Sequence, residues 1–272
     1  MSSLNRKYLW SAVTAMAGIG LVICLGGLLA SELVEPIPPV VQEEPIPVPQ
    51  EPQMSELETE FIQPGPPSVE VPVEFHSLVQ ENPDIYAWIQ MPGTPVDYPV
   101  FQHFGDDSYY LRRDIHGNYS AAGVLFTEYR YNTTDFSDPV TIIYGHDMAD
   151  GSMFGSLQTY TQMLTLDENV RFYIYQPGQK LTYQVFAAVP YNNSHILYYH
   201  NFQDEKDFTR FFDSIYETRS LYANLNPEFS PEAGDRVVIL ATCLKGDNTR
   251  RFLVMGVLTE DTTGDAVTTE LP

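Results

Sequence analysis

Cys243 is the residue of this 272-residue chain best suited to covalent chemistry. It closes an apolar run that begins at Val237, and a polar loop follows it at Lys245–Thr249. The thiol therefore lies at the rim of a predicted strand, where a substrate can reach it. A buried structural cysteine is the alternative interpretation, because free cysteine is among the most buried residue types. The second cysteine, Cys24, stands inside a long apolar run and is not a candidate nucleophile.

A cysteine nucleophile needs a partner that moves protons, and this is normally histidine. His146 directly follows Gly145 and the predicted buried strand Val140–Tyr144, so a core element holds it while it can still face a cleft. This position favours His146, although spacing alone does not exclude the other histidines. These are His76, His103, His116, His195 and His200.

A guanidinium near the thiol would favour the thiolate and could stabilise an oxyanion. Arg250 and Arg251 begin the next predicted strand, and adjacent residues on a strand point to opposite faces. Only one of the two can therefore share the face of Cys243, and alternation alone does not say which. The sequence contains no Cys/His cluster and no glycine-rich phosphate loop, so we expect neither a metal nor a cofactor.

Composition excludes two broad classes of protein. Fourteen basic against 36 acidic side chains give a formal charge of −22, which argues against binding to nucleic acid. An apolar fraction of 43% is enough for a packed core, so the chain as a whole is not disordered.

The N-terminal region predicts a membrane anchor. Tyr8–Ala30 contains no formal charge and is long enough to cross a bilayer, and Arg6 and Lys7 precede it. The positive-inside rule then places residues 1–7 in the cytoplasm and all that follows Ala30 outside the cell. A cleaved signal peptide is the alternative, but its apolar region would be shorter, about 7–15 residues.

A change of composition separates this anchor from a folded domain. Residues 31–73 hold 11 prolines and nine glutamates without a lysine or arginine, which predicts an extended linker. We expect the folded domain at 74–260 and a disordered tail at 261–272.

Within that domain the pattern predicts a mainly β closed barrel with short helices. Glu74–Glu81 has the spacing of a short helix, and Gln203–Thr218 that of one long amphipathic helix before the cysteine strand. The predicted strands are Val96–Phe101, Gly123–Tyr129, Val140–His146, Arg171–Tyr175, Lys180–Val189, Asp235–Thr242 and Arg251–Leu258.

Several of these segments together resemble class B sortases. Tyr144–Met148 reads YGHDM and leads into DGSMF at Asp150–Phe154, close to the histidine motif of that family. Ala241–Cys243 with a downstream arginine is similar to the family's cysteine motif. Asn82–Val100 looks like the start of its catalytic domain, and the resemblance covers about residues 74–260, in the family's order.

The resemblance implies a site made of Cys243, His146 and Arg251, since the family's arginine stands directly ahead of the last apolar run. Ala241 and Thr242 are implied to contact substrate. Three positions depart from the pattern: Ile239 replaces a threonine, Ala241 a frequent serine, and Asp147 the usual asparagine. The missing hydroxyl at Ala241 affects substrate recognition rather than the reacting groups.

The function implied is that of a membrane-anchored cysteine transpeptidase with an extracellular catalytic domain. It would cleave a C-terminal sorting signal, of NPQTN or (S/N)PxTx type, in a secreted protein. It would then join the new carboxyl end to an amine of a peptidoglycan precursor or of a pilin. Two alternatives stay open at this point: a membrane-anchored peptidase that releases a free acid, and a surface adhesin without catalysis.

Overall fold

The computed structural model describes residues 68–162, 166 and 169–268. Short strands dominate this part of the chain, because β-branched and aromatic residues alternate with polar ones between frequent turns. The strands are β1 Ser68–Val71, β2 Ile85–Gln90, β3 Asp97–Phe101, β4 Leu125–Phe126, β5 Val140–Tyr144, β6 Arg171–Gln176, β7 Gln179–Tyr191, β8 Asn224–Leu225, β9 Val237–Leu244, β10 Asp247–Thr263 and β11 Asp265–Thr268. The helices are α1 Phe75–Glu81, α2 Ile196–Tyr199 and α3 Glu205–Tyr216, with 3₁₀ turns at Tyr109–Arg112, Gly155–Thr161 and Pro227–Phe229.

Eight of these strands form a closed barrel. Neighbouring strands follow the order β10-β9-β5-β4-β3-β2-β6-β7, and antiparallel pairing of β7 with β10 closes the ring. β8 pairs with β7 outside the ring, and β1 and β11 form a separate parallel pair. Closure leaves the ring without a free edge strand, and its shortest pairings are those of β4 with β3 and β5. This confirms the mainly β closed barrel that the sequence predicts.

Two apolar layers lie on the two faces of the barrel wall. Alternate residues of β9 enter the barrel interior, among them Val238 and Leu240, while Ile239 and Ala241 face outward. The outward layer is covered by α3, which buries Phe208, Phe211, Phe212 and Ile215. The helical spacing of these apolar residues thus predicted the long helix correctly, and the apolar face of α3 forms part of the core.

The parallel pairing of β5 with β9 brings the two predicted reactive segments together. Val140 lies opposite Val237, and the register continues to Tyr144 opposite Ala241. Parallel strands end at the same edge of a sheet. The segment after β5, which carries His146, therefore leaves the wall beside the end of β9, which carries Cys243.

The ordered domain is longer than the predicted 74–260. β1 precedes that range, and β10 runs to Thr263 and is followed by β11, where a disordered tail was expected. β1 and β11 are short, and each has the other as its hydrogen-bonding partner almost 200 residues away, so neither is recognisable as a strand on its own. β2 was also missed, although its residues alternate between buried and half-buried positions as a strand requires.

The remaining N-terminal predictions concern residues that the structure does not describe. The anchor at 8–30 and most of the linker at 31–73 lie outside the described ranges. Within those ranges, no helix combines the length and the apolar composition needed to cross a membrane.

Candidate active site

Cys243 and Arg251 face each other across the antiparallel pair β9–β10. The two residues are direct register partners, and Arg251 Nη1 lies 3.3 Å from Cys243 Sγ, within hydrogen-bonding distance of sulfur. Cys243 is half-buried at the outer surface of the wall. The guanidinium is thus placed to donate to the sulfur and to stabilise negative charge that develops next to it.

Arg250 points elsewhere, as strand alternation requires. It is exposed and lines a separate, open cavity of about 850 Å³ together with Asp147 and Lys245. Burial raises the pKa of Asp147 in this cavity, and the positive charge of Lys245 opposes the rise. Of the two adjacent arginines, the structure therefore brings Arg251 to the thiol and not Arg250.

His146 borders the same cavity as Cys243 and Arg251. This cavity, here called the reactive cavity, has a volume of about 90 Å³ and lies between Leu111, Phe126 and the ends of β5 and β9. His146 Nε2 lies 2.7 Å from the carbonyl oxygen of Leu111. A carbonyl can only accept, so Nε2 carries the proton and Nδ1 is the basic nitrogen of the neutral ring.

Gly145 explains how His146 reaches this position. A Cβ atom at residue 145 would overlap the side chain of Leu125 and the ring of Phe154, so the chain can leave β5 here only with glycine. The backbone is then fixed on both sides: Gly145 N donates to Ala241 O at 3.1 Å, and Phe154 N donates to His146 O at 3.0 Å. The GH dipeptide in the sequence thus reflects close packing of the backbone.

Ala241 and Thr242 both line the reactive cavity, but in different ways. Ala241 lies on the outer face of β9, two residues before Cys243 and on the same side. Thr242 points to the opposite face; it is 3% exposed, and its hydroxyl has no hydrogen-bond partner among the described residues. Contact of substrate with Thr242 would therefore involve its backbone.

A residue that the sequence analysis did not single out holds the end of β9. Gln158, in the 3₁₀ turn Gly155–Thr161, is 6% exposed. Its Nε2 donates to Cys243 O at 2.8 Å, and its Oε1 accepts from Lys245 N at 3.2 Å. One side chain thereby satisfies the backbone on both sides of Leu244. No spacing rule connects positions 85 residues apart, so the sequence carried no signal for it.

The other histidines contact partners away from the reactive cavity. His76 lies 2.8 Å from Gln80, His103 2.6 Å from Asp84, His116 3.8 Å from Glu81, His195 3.0 Å from Glu128 and His200 3.3 Å from Asp207. Within the described part of the chain, no three His, Cys, Asp or Glu side chains are grouped to hold a metal ion. His146 is therefore the histidine that the fold brings to Cys243.

Comparison with known proteins places this geometry in a family. No family model matches the chain. Sortase B of Listeria monocytogenes is 34% identical over 176 residues, which cover 64% of this chain and 68% of that protein. The chain belongs to the class B sortases. It is a cysteine transpeptidase of the sortase type, and an adhesin without catalysis is excluded.

Two solved class B sortases share the fold. The Staphylococcus aureus sortase B–substrate complex is 26% identical with a TM-score of 0.57, covering 68% of this chain and 84% of that one. Spy0129 of Streptococcus pyogenes, a class B sortase involved in pilus biogenesis, is 28% identical with a TM-score of 0.58, covering 69% and 98%. The chain thus resembles class B sortases in its barrel fold as well as in its sequence.

Proposed function

We propose that this class B sortase cleaves the sorting signal of secreted proteins by attack of Cys243 on the carbonyl carbon of the signal's threonine. The observation that carries the proposal is the pairing of Cys243 Sγ with Arg251 Nη1 at 3.3 Å in a cavity that His146 also lines. These are a nucleophile, an anion-stabilising donor and a proton carrier in one place.

The reaction has two half-reactions. Cys243 first gives its thiol proton to His146. The thiolate then forms a carbon–sulfur bond while the carbon–nitrogen bond breaks, and the leaving amine takes that proton from His146. An incoming amine then attacks the thioester and gives a proton back to His146, and the thiolate leaves. Arg251 donates to the oxyanion in both half-reactions. The acceptor in this proposal is an amine of a peptidoglycan precursor, or of a pilin.

The setting of the reaction is the outer face of a cell membrane. We place the anchor at residues 8–30, the N-terminus in the cytoplasm and the catalytic domain outside, because basic residues precede the apolar run. Both the emerging signal and a lipid-linked acceptor are within reach of an enzyme anchored there. The signal is of NPQTN or (S/N)PxTx type by analogy with the class.

The test is product analysis on a peptide that contains NPQTN, with and without triglycine as the amine. The wild-type chain should form a thioacyl adduct on Cys243 and, with triglycine, a product joined to it. Cys243→Ala should form neither, while Cys24→Ala should be unaffected.

Two outcomes would contradict the proposal. Turnover by a pure Cys243→Ala variant would exclude the nucleophile. Release of free acid alone, at every triglycine concentration, would favour the membrane-anchored cysteine peptidase instead.

A further inference from the structure

A second cavity opens directly beside the reactive cavity. It has a volume of about 230 Å³ and is here called the distal cavity. The two cavities share five lining residues: Leu111, Phe126, Tyr144, Ala241 and Arg251. A peptide whose carbonyl carbon lies at Cys243 therefore has neighbouring residues within reach of the distal cavity.

The distal cavity is apolar on most sides, with one carboxylate held in its wall. Ile142, Ile196 and Leu253 provide apolar surface. Glu128 follows β4, and its side chain is only 14% exposed. Burial raises the pKa of Glu128, and the neighbouring His195 and Tyr144 oppose the rise. A partly buried carboxylate in a cleft is costly unless something hydrogen-bonds to it.

Two donors fix the orientation of this carboxylate. Tyr144 donates its hydroxyl proton to Glu128 Oε2 at 3.1 Å. His195 Nδ1 accepts from the backbone N–H of Tyr198 at 3.1 Å, so its Nε2 carries a proton and donates to Glu128 at 3.0–3.1 Å. These two donors leave Glu128 with lone pairs to spare, because an ionised carboxylate accepts about four hydrogen bonds.

The charge of this region is also negative. Asp107 lines the distal cavity as well, although Arg130 pairs with it at 3.4 Å. Arg251 lines both cavities, and its guanidinium pairs with Cys243. A side chain that offers a hydrogen-bond donor is therefore favoured at the Glu128 end, and a carboxylate there would be repelled.

We infer that Glu128 is a specificity-determining residue, which accepts a hydrogen bond from a carboxamide or cationic side chain of the bound sorting signal. The inference rests on the proposed function and names what the site selects. We assign the selected residue to the part of the signal upstream of the threonine, which stays bound as the acyl group through both half-reactions. His195 and Tyr144 are positioning residues, since they hold the carboxylate that makes the contact.

The test compares substrates that differ in one carboxamide. The peptides carry NPQTN, DPQTN or NPETN, which exchange Asn for Asp or Gln for Glu upstream of the threonine. The wild type should discriminate against one of the two acidic peptides by about tenfold or more in kcat/KM, as expected for a hydrogen bond to a charged group. Glu128→Gln keeps the size and can still accept from Tyr144 and His195. It should bring that ratio to within about threefold.

The matched control is Glu81→Gln, because Glu81 also pairs with a histidine, His116, but on α1 and away from both cavities. It should leave the ratio of the wild type unchanged. The affinity of the same peptides for Cys243→Ala provides a second measurement that needs no turnover, and it should show the same preference.

Each remaining outcome separates this inference from the proposed function. If Glu128→Gln lowers kcat/KM equally for all three peptides, Glu128 merely holds the loop of His195 and the inference is wrong, while the transpeptidase proposal stands. If the wild type processes none of the three and the Cys243→Ala variant binds none, the proposed signal is wrong and the inference falls with it.

Discussion

Arg250 and Arg251 are neighbours in sequence but belong to different surfaces. Arg251 donates to Cys243, whereas Arg250 is exposed in another cavity. If the arginine acts only through its charge, the two should be nearly interchangeable. If it acts as a directed oxyanion donor, they should not be.

We therefore expect Arg251→Ala to lower kcat/KM by about 10²–10³-fold, the usual cost of removing an oxyanion donor. Arg250→Ala should stay within roughly tenfold, because an exposed charge contributes little. Arg251→Lys should also be poor, since an ammonium lacks the planar fork of donors. The measurement is kcat/KM on one sorting-signal peptide, with folding checked by circular dichroism. Equal losses for both alanine variants would contradict the directed contact.

At the scale of single elements, the end of β9 depends on a side chain from a distant turn. Gln158→Leu would remove the partly buried side-chain hydrogen bonds to the carbonyl of Cys243 and to the N–H of Lys245. We expect a loss of about 1–3 kcal/mol in the free energy of unfolding, together with a lower kcat. Gln162→Leu is the matched control, because Gln162 is exposed at the end of the same turn. Urea denaturation of both variants measures the free energy of unfolding, and single-turnover acylation measures the chemical step. A Gln158→Leu variant as stable and active as the wild type would show that Gln158 does not hold the end of β9.

The turn that precedes β5 is expected to lose stability at low pH. Phe136 is buried at a φ of 55°, where side chains are rarely found, and stacks on Tyr86. Asp135 holds this turn by accepting from Thr133 and Ser137, and these hydrogen bonds lower the pKa of Asp135 to about 2. A carboxyl whose pKa is lowered on folding stabilises the protein above the pKa of the unfolded chain, about 4, and loses that effect as the pH falls towards 2.

Asp135→Asn should therefore cost on the order of 1 kcal/mol at pH 7, after allowance for solvent screening of an exposed group. The difference from the wild type should shrink between pH 4 and pH 2. Urea denaturation across this range measures it, with Asp213→Asn, an exposed position on α3, as the control. A difference that stays constant with pH would mean that the carboxylate's charge does not matter.

Local patterns predicted the elements that carry the reacting groups, and they failed where a partner is remote. Val237–Cys243 and Val140–His146 are recognisable because apolar runs end at residues of unusual chemistry. Gln158 and Glu128 act through contacts 85 and 67 residues away, which no local pattern contains. The same reason explains the missed pair β1–β11. Sequence alternation could show only that Arg250 and Arg251 differ. The family resemblance favoured Arg251, and the register of β9 with β10 shows that Arg251 meets the thiol.

On the scale of the whole molecule, β1 belongs to the folded domain. Val69 and Val71 are buried against Phe75 and Tyr175 on the outside of the barrel. A chain that begins at Glu74, the boundary predicted from the sequence, would lose this apolar contact and the hydrogen-bonding partner of β11.

We expect this shortened chain to be less stable than one that begins at Ser68 by about 3 kcal/mol, from two buried valines. That corresponds to a Tm lower by roughly 6–12 °C for a domain of this size. Thermal unfolding of the two chains measures the difference. Identical midpoints would show that β1 adds nothing to the domain.

The parallel pairing of β1 with β11 also sets how the domain bears tension. Ser68 lies opposite Asp265, and Gly264 alone separates β11 from β10, the strand of Arg251. The chain ahead of Ser68 and the link at Gly264 join this pair at the same end, so a pull on that chain would open the backbone hydrogen bonds of the pair one by one, beginning at Ser68. Once the pair had opened, the load would pass along β1 to α1, which follows it in the chain, and not through β10 and β9. The pair would thus give way before the strands that carry Cys243 and Arg251 are strained.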